Sequence, residues 1–173
     1  MKTTVFAFHP HLNDGSKLNR ALAQGAQEAG FEVRDEYQLY PDFKVDVKAE
    51  QEALEAADRI VLQFPIYWYQ VPPLLKQWFD DVLEFGWIHG VNGRTLQDKE
   101  LLLVPSFGAI GDDYTSDGRF EITVDEILKP IKTIKFHTGL KVVEPFVTTG
   151  VRDLNRPDVE TRVKAYVARL SEN

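Results

Sequence analysis

Short apolar runs alternate with amphipathic, charge-bearing stretches along nearly the whole chain, and that rhythm predicts its elements. Val5-Phe6-Ala7-Phe8 reads as a short strand, and Ser16 to Ala29 carries apolar residues at helical spacing, closed by Gly30. Phe31 to Asp35 alternates like a second strand. Val47 to Ala57 is rich in Ala and Glu with a helical pattern, and it leads into the buried run Ile60 to Phe64. Pro65 cannot donate to a sheet ladder, so the chain is expected to leave the sheet there. Pro72 and Pro73 suit the first turn of a helix that continues through Leu83 with apolar residues on two sides. Leu101 to Val104 has no polar face, the pattern of a central parallel strand. After a loop from Ser106 to Arg119, a helix is expected over Thr123 to Lys135, bent at Pro130. Gly139 to Phe146 supplies the last strand, and Asp158 to Leu170 the last helix, with Pro157 near its start.

Five strands alternating with five helices imply βαβ units and right-handed crossovers. The expected class is α/β: a three-layer sandwich around a five-stranded parallel sheet in the order 2-1-3-4-5, which is flavodoxin-like. The 173 residues fit one domain, with no internal repeat, linker or low-complexity stretch.

Composition narrows the chemistry. There is no cysteine, which excludes thiol nucleophiles, dithiol redox centres, iron–sulfur clusters and thiolate zinc sites. Redox chemistry would therefore need a bound cofactor. His9, His11, His89 and His137 lack metal-protease spacing, and no metal site is expected. A net charge of −7 with scattered Lys and Arg argues against nucleic acid as a partner. No apolar run approaches the roughly 20 residues of a membrane span, and the N-terminus lacks a basic region with an apolar signal core. A cytoplasmic location is expected.

Three loops follow the first, third and fourth strands, and in this topology they meet on one rim of the sheet. In the first, His9 stands at the strand end and Ser16 at the expected helix N-cap, with Lys17, Leu18 and Asn19 in the first turn. A helix N-terminus with a hydroxyl, an amide and a lysine nearby can grip a phosphate. The same residues also fit plain helix capping, and His9 a core-edge histidine. The loop contains neither Gly-x-x-x-x-Gly-Lys-Ser nor Gly-x-Gly-x-x-Gly, so triphosphatases and dinucleotide-binding Rossmann domains are not supported. In the second loop Pro65, Ile66, Tyr67, Trp68 and Tyr69 offer faces and edges to a planar ring, or else pack beneath a neighbouring helix or subunit. In the third, Ser106, Phe107, Gly108 and Ala109 include small residues that let backbone approach a ligand. Anion cradle, aromatic wall and small-residue floor together describe a pocket for flavin mononucleotide (FMN). Tyr114 could donate a hydrogen bond beside a substrate, or be a surface tyrosine in a mobile loop.

Longer stretches carry a resemblance. His9-Pro10 with Ser16-x-x-Asn19, Phe64 to Tyr69, Pro72-Pro73-Leu74-Leu75-Lys76-Gln77-Trp78-Phe79-Asp80 and Phe85-Gly86-Trp87-Ile88-His89-Gly90 resemble the NAD(P)H:quinone oxidoreductase family nearly end to end. Leu39-Tyr40-Pro41-Asp42-Phe43 and Glu50-Gln51-Glu52-Ala53-Leu54 resemble its short bacterial members, including the ancillary flavoprotein subunit of glutathione-gated potassium efflux. The resemblance implies a homodimer with FMN, or FAD as in longer relatives, and two-electron reduction of quinones by NAD(P)H, donor and acceptor using one place in turn. It implies that His9, Ser16, Lys17, Leu18 and Asn19 meet the phosphate and ribityl chain, that Pro65 to Tyr69 line the isoalloxazine, and that Ser106 to Ala109 complete its floor. Tyr114 falls where larger quinone reductases carry a tyrosine near the transferring hydride. Their following histidine is unmatched, since Phe120 stands there, and Phe107 and Ile110 are expected to narrow the pocket.

Other readings share the cofactor: a regulatory subunit of a membrane potassium-efflux transporter, peripheral to the inner face of the membrane, or a one-electron flavodoxin-like carrier. An interaction domain without FMN is a further alternative. Trp78, Phe79, Phe85, Trp87 and Ile88 either form an apolar face for dimer pairing or all point inward.

Overall fold

A computed structural model describes residues 1–88 and 94–172. Its strands are β1 (Thr3–Ala7), β2 (Glu32–Asp35), β3 (Arg59–Pro65), β4 (Glu100–Ser106) and β5 (Lys141–Val142). They form one sheet in the order β2-β1-β3-β4-β5, and every neighbouring pair is parallel. Helices cover both faces: α1 (Leu18–Glu28) and α7 (Arg156–Ser171) on one, α3 (Val47–Ala56), α4 (Pro73–Val82) and α5 (Val124–Thr133) on the other. Two four-residue helices, α2 (Glu36–Leu39) and α6 (Lys135–Thr138), complete the described helical set.

The continuous apolar runs conceal a period of two, because each strand is buried on both sides. Phe6, Phe8, Ile60, Leu62, Phe64, Leu101 and Leu103 face α3, α4 and α5 around Trp78. Val5, Val61, Leu102 and Val104 face Leu18 and Leu22 of α1 and Tyr166 and Leu170 of α7. The α1–α7 contact depends on a missing side chain: a Cβ on Gly25 would lie 2.4 Å from Cγ1 of Val163. Gln63 is the polar exception inside this layer. Its Nε2 donates to the Asn19 carbonyl at 2.8 Å, and its Oε1 accepts from the Tyr166 hydroxyl at 3.3 Å, tying both helices to β3.

Several expectations are corrected. Pro65 remains in the sheet as the last residue of β3, and the Ile66 N–H donates to the Ser106 carbonyl at 2.8 Å. The short α2 was not foreseen; the Asp35 carboxylate caps it by accepting from the Gln38 N–H. The last strand is far shorter than Gly139 to Phe146. Lys141 and Val143 donate to the carbonyls of Lys99 and Leu101, but Pro145 has no N–H for Leu103, and Phe146 supplies it one residue late. That slip ends the regular ladder, which resumes as an isolated bridge between Ser106 and Thr148.

The apolar pairing face does not exist as drawn: Trp78 and Ile88 are buried in the core, Phe79 and Trp87 are half-buried, and only Phe85 is strongly exposed, at 79%. Helix α4 packs on the sheet beside α3, so its aromatic side turns inward. The His89-Gly90 end of the resemblance lies outside the described residues.

An acidic cluster at the end of β2 makes a pH prediction. Glu36 and Glu50 are both fully buried beside the single guanidinium of Arg34. Burial, reinforced by the Glu50 charge, pushes the Glu36 carboxyl up to about 9, despite the opposing pull of Arg34. The folded protein then holds a proton that the unfolded chain releases near the ordinary glutamate value of 4.5, so stability falls as pH rises from about 4.5 towards 9. Glu36→Gln is expected to leave stability unchanged near pH 4.5 and to raise it at pH 8 by on the order of 2–4 kcal/mol. Urea titrations across this pH range would check it; parallel wild-type and variant profiles would show that Glu36 is not neutral in the fold.

Candidate functional site

The loops after β1, β3, β4 and β5 all emerge at the carboxyl edge of the sheet, where two adjoining clefts open. The smaller, about 380 Å³, is lined by His9, Ser16, Lys17, Asn19, Pro65 and Ser106 among others. The larger, about 660 Å³, is lined by Tyr67, Trp68, Tyr69, Tyr114 and Phe120 with Gly108 and Ala109 beneath. Ile66, Tyr67, Gly108 and Arg152 border both, so the two are continuous.

The smaller cleft has the character of an anion cradle. α1 begins at Leu18, and the Ser16 hydroxyl oxygen accepts from the Asn19 N–H at 3.0 Å, leaving the hydroxyl proton free to donate outward. Lys17 is exposed at the boundary. Asn19 is buried and committed to the scaffold: its Nδ2 donates to Ser106 Oγ at 2.9 Å, joining the first loop to the third. Leu18 turns its side chain into the core, so only its backbone could serve a ligand. His9 accepts from the His11 N–H on Nδ1 at 3.1 Å, which leaves the hydrogen of the neutral ring on Nε2. Burial, aided by the neighbouring His11, lowers His9 to about 4, so at neutral pH it offers a donor and no charge.

The larger cleft is walled by a tight turn. Tyr67 and Gln70 exchange both backbone hydrogen bonds, N to O at 2.9 and 3.0 Å, with Trp68 and Tyr69 between them at φ 49° and 63°. Two-residue turns of this hand favour Asn-Gly, and aromatic residues there are strained. The turn holds the Trp68 side chain 92% exposed over the cleft mouth. Replacing the pair, Trp68→Asn with Tyr69→Gly, is expected to raise stability by about 1–2 kcal/mol, readable by thermal unfolding. A loss of stability would mean that ring packing outweighs the strain.

Tyr114 packs edge-on to Phe107 at 5.0 Å and tilted against Phe120 at 5.1 Å, and Phe120 meets Tyr69 at 5.8 Å. Burial raises the Tyr114 hydroxyl above its ordinary value, so it remains a donor at neutral pH. Of the two residues expected to narrow the pocket, Phe107 borders the smaller cleft with its side chain fully buried, whereas Ile110 points towards Gly150, outside both clefts.

Sequence reasoning overlooked the loop after β5, which contributes Val151 and Arg152. The signal was available: on a parallel sheet, that loop must reach the same rim. Among the described residues no group of three or more His, Cys, Asp or Glu is placed to hold a metal, and no helix is long and apolar enough to cross a membrane.

The chain belongs to a family of flavodoxin-like fold, whose profile matches residues 1–173. It is similar to an uncharacterised NAD(P)H oxidoreductase, YrkL, of Bacillus subtilis, 40% identical over 170 residues and covering 98% of each chain. Among solved structures, general stress protein 14 of Treponema denticola in complex with FMN is 34% identical with a TM-score of 0.91, over 98% of each chain. A chain described as a thermophilic tryptophan halogenase from Streptomycin violaceusniger is 37% identical with a TM-score of 0.94, over 98% of this chain and 99% of that one.

Proposed function

We propose that the chain is an FMN-dependent NAD(P)H oxidoreductase that reduces quinones or similar aromatic acceptors by two-electron hydride transfer. The observation that carries this reading is the continuity of the anion cradle with the aromatic-walled cleft, in a chain related to an FMN-bound neighbour and an NAD(P)H oxidoreductase. The residues fit the group: Gly108, without a side chain, borders both clefts, and the free hydroxyl proton of Ser16 faces an anion cleft lined by Lys17.

When bound, FMN would supply the acceptance of a hydride from the nicotinamide and its donation to the acceptor. The chain would do the rest. Ser16, Lys17 and the start of α1 hold the phosphate, with the neutral His9 ring adding a donor. Pro65 to Tyr69 and Ser106 to Ala109 would line the ring, and Trp68 would offer its exposed side chain to a second ring arriving from solvent. Tyr114 would donate from its hydroxyl to an acceptor carbonyl and orient it, while Phe120, which has no titratable group, would only pack beside it.

A homodimer that buries the exposed Trp68 belongs to this reading, and sedimentation with and without FMN tests it. A potassium-efflux transporter as partner is supported by the sequence resemblance alone, and copurification tests it. The decisive experiment loads the protein with FMN and mixes it anaerobically with NADPH, then menadione, following visible absorbance. Bleaching by NADPH and recovery on quinone is the expected result. Failure to bind FMN overturns the pocket, and bleaching without recovery overturns the acceptor class.

A further inference from the structure

Arg152 is exposed and makes no hydrogen bond or ion pair among the described residues, in a chain of net charge −7. Other arginines are tied to carboxylates: Arg34 to Glu50, Arg59 to Glu100, Arg156 to Glu160 and Arg169 to Glu172. Arg152 borders both clefts, whereas Lys17 borders only the anion cradle. Its guanidinium lies against the floor: a Cβ on Gly108 would sit 3.0 Å from its Nε, 3.4 Å from Cζ and 3.5 Å from Nη2. The backbone beneath it is pinned, with Phe107 N–H donating to the Thr148 carbonyl at 2.8 Å, Gly150 to Ala109 at 2.6 Å and Val151 to Phe107 at 3.1 Å. The base of Arg152 therefore moves with the floor, and only its side chain is free to turn.

From this placement we infer that Arg152 contacts the pyrimidine edge of the bound flavin ring and stabilises its reduced form. The inference rests on the FMN reading above. A hydride carries two electrons and one proton, so its addition to the neutral oxidised ring leaves one negative charge, spread over the N1 and C2 carbonyl edge. The nicotinamide that gives it up becomes a cation and departs. A guanidinium beside that edge favours the charged product over the neutral ring, and its planar fork can donate to the nitrogen and the carbonyl together. Asp153 is its neighbour in sequence, but among the described residues no carboxylate forms an ion pair with it that would spend its charge. Tyr114 shares the larger cleft and stays neutral, so it does not compete.

The test uses the FMN-loaded protein and its Arg152→Ala and Arg152→Lys variants, with affinity for oxidised FMN read by fluorescence quenching and the two-electron midpoint potential read against reference dyes. Because Arg152 has no structural partner, both variants are expected to fold as the parent does. Arg152→Ala should change affinity for oxidised FMN less than threefold while weakening the reduced form about tenfold, a fall of about 30 mV in potential. Arg152→Lys should recover part of that fall. An unchanged potential in Arg152→Ala overturns the inference, and a raised KM for NADPH alongside it would assign the arginine to the donor's phosphates. If the unaltered protein binds no FMN, the FMN reading itself has failed.

Discussion

Ser16→Asp is expected to weaken FMN binding by about 100-fold while leaving the fold as stable as before. Aspartate is as good an N-cap as serine, so the bond from the Asn19 N–H survives and α1 starts where it did. What changes is the sign of the cradle. A carboxylate replaces a neutral donor where a phosphate dianion would sit, and like charges a few ångströms apart near a protein surface cost a few kcal/mol. A 100-fold loss corresponds to about 2.7 kcal/mol. Ser16→Ala makes the complementary change: the cap is lost, at about 1 kcal/mol of stability, with a smaller loss of affinity. Fluorescence titration with FMN, alongside urea unfolding of the apo-protein, separates the two. If Ser16→Asp binds FMN as tightly as the parent, the phosphate does not sit at this helix start and Ser16 is only a cap.

Trp78→Ala is expected to cost about 3–5 kcal/mol, a large share of the 5–15 kcal/mol by which domains of this kind are stable. The indole packs between Phe6 at 5.8 Å, Phe8 at 5.6 Å and Phe79 at 5.6 Å, so its removal opens a cavity against β1. Its Nε1 also donates at 2.9 Å to the buried Glu50 carboxylate, which Tyr40 and Arg34 share. Trp78→Phe keeps most of the volume but leaves that acceptor one donor short, for an expected 1–3 kcal/mol. The pair of variants, compared by chemical denaturation, divides packing from hydrogen bonding. Equal costs for Ala and Phe would place the whole effect in the Glu50 bond. Because Trp78 lies on the buried side of α4 and outside both clefts, Trp78→Phe should bind FMN as the parent does.

The two substitutions show different degrees of legibility. Ser16 was readable because helix starts carry a local chemical signature, and the signature here coincided with the carboxyl edge of a strand. Trp78 could not be assigned from sequence to a pairing face or to the core, because its neighbours Phe79, Phe85 and Trp87 make the segment apolar on every side. Periodicity cannot then say which side is covered. Asn19 was legible as a polar residue one turn into α1, but its use was not. The same amide that could meet an anion is instead spent on Ser106 and on Gln63.

By itself, the sequence determined the alternation of strands and helices, the order 2-1-3-4-5 and the three loops that share a rim. These follow from hydrophobic period, turn chemistry and the handedness of βαβ crossovers, all of which are local or nearly so. Tertiary structure alone decided three other things: that Pro145 interrupts the β5 ladder, that Glu36 and Glu50 are buried beside one arginine, and that Arg152 lies across Gly108 where the clefts join. Each depends on contacts between segments distant in the chain. Hydrogen-bond partners, burial and electrostatic neighbours are fixed by where the other elements pack, and no local pattern of residues encodes that.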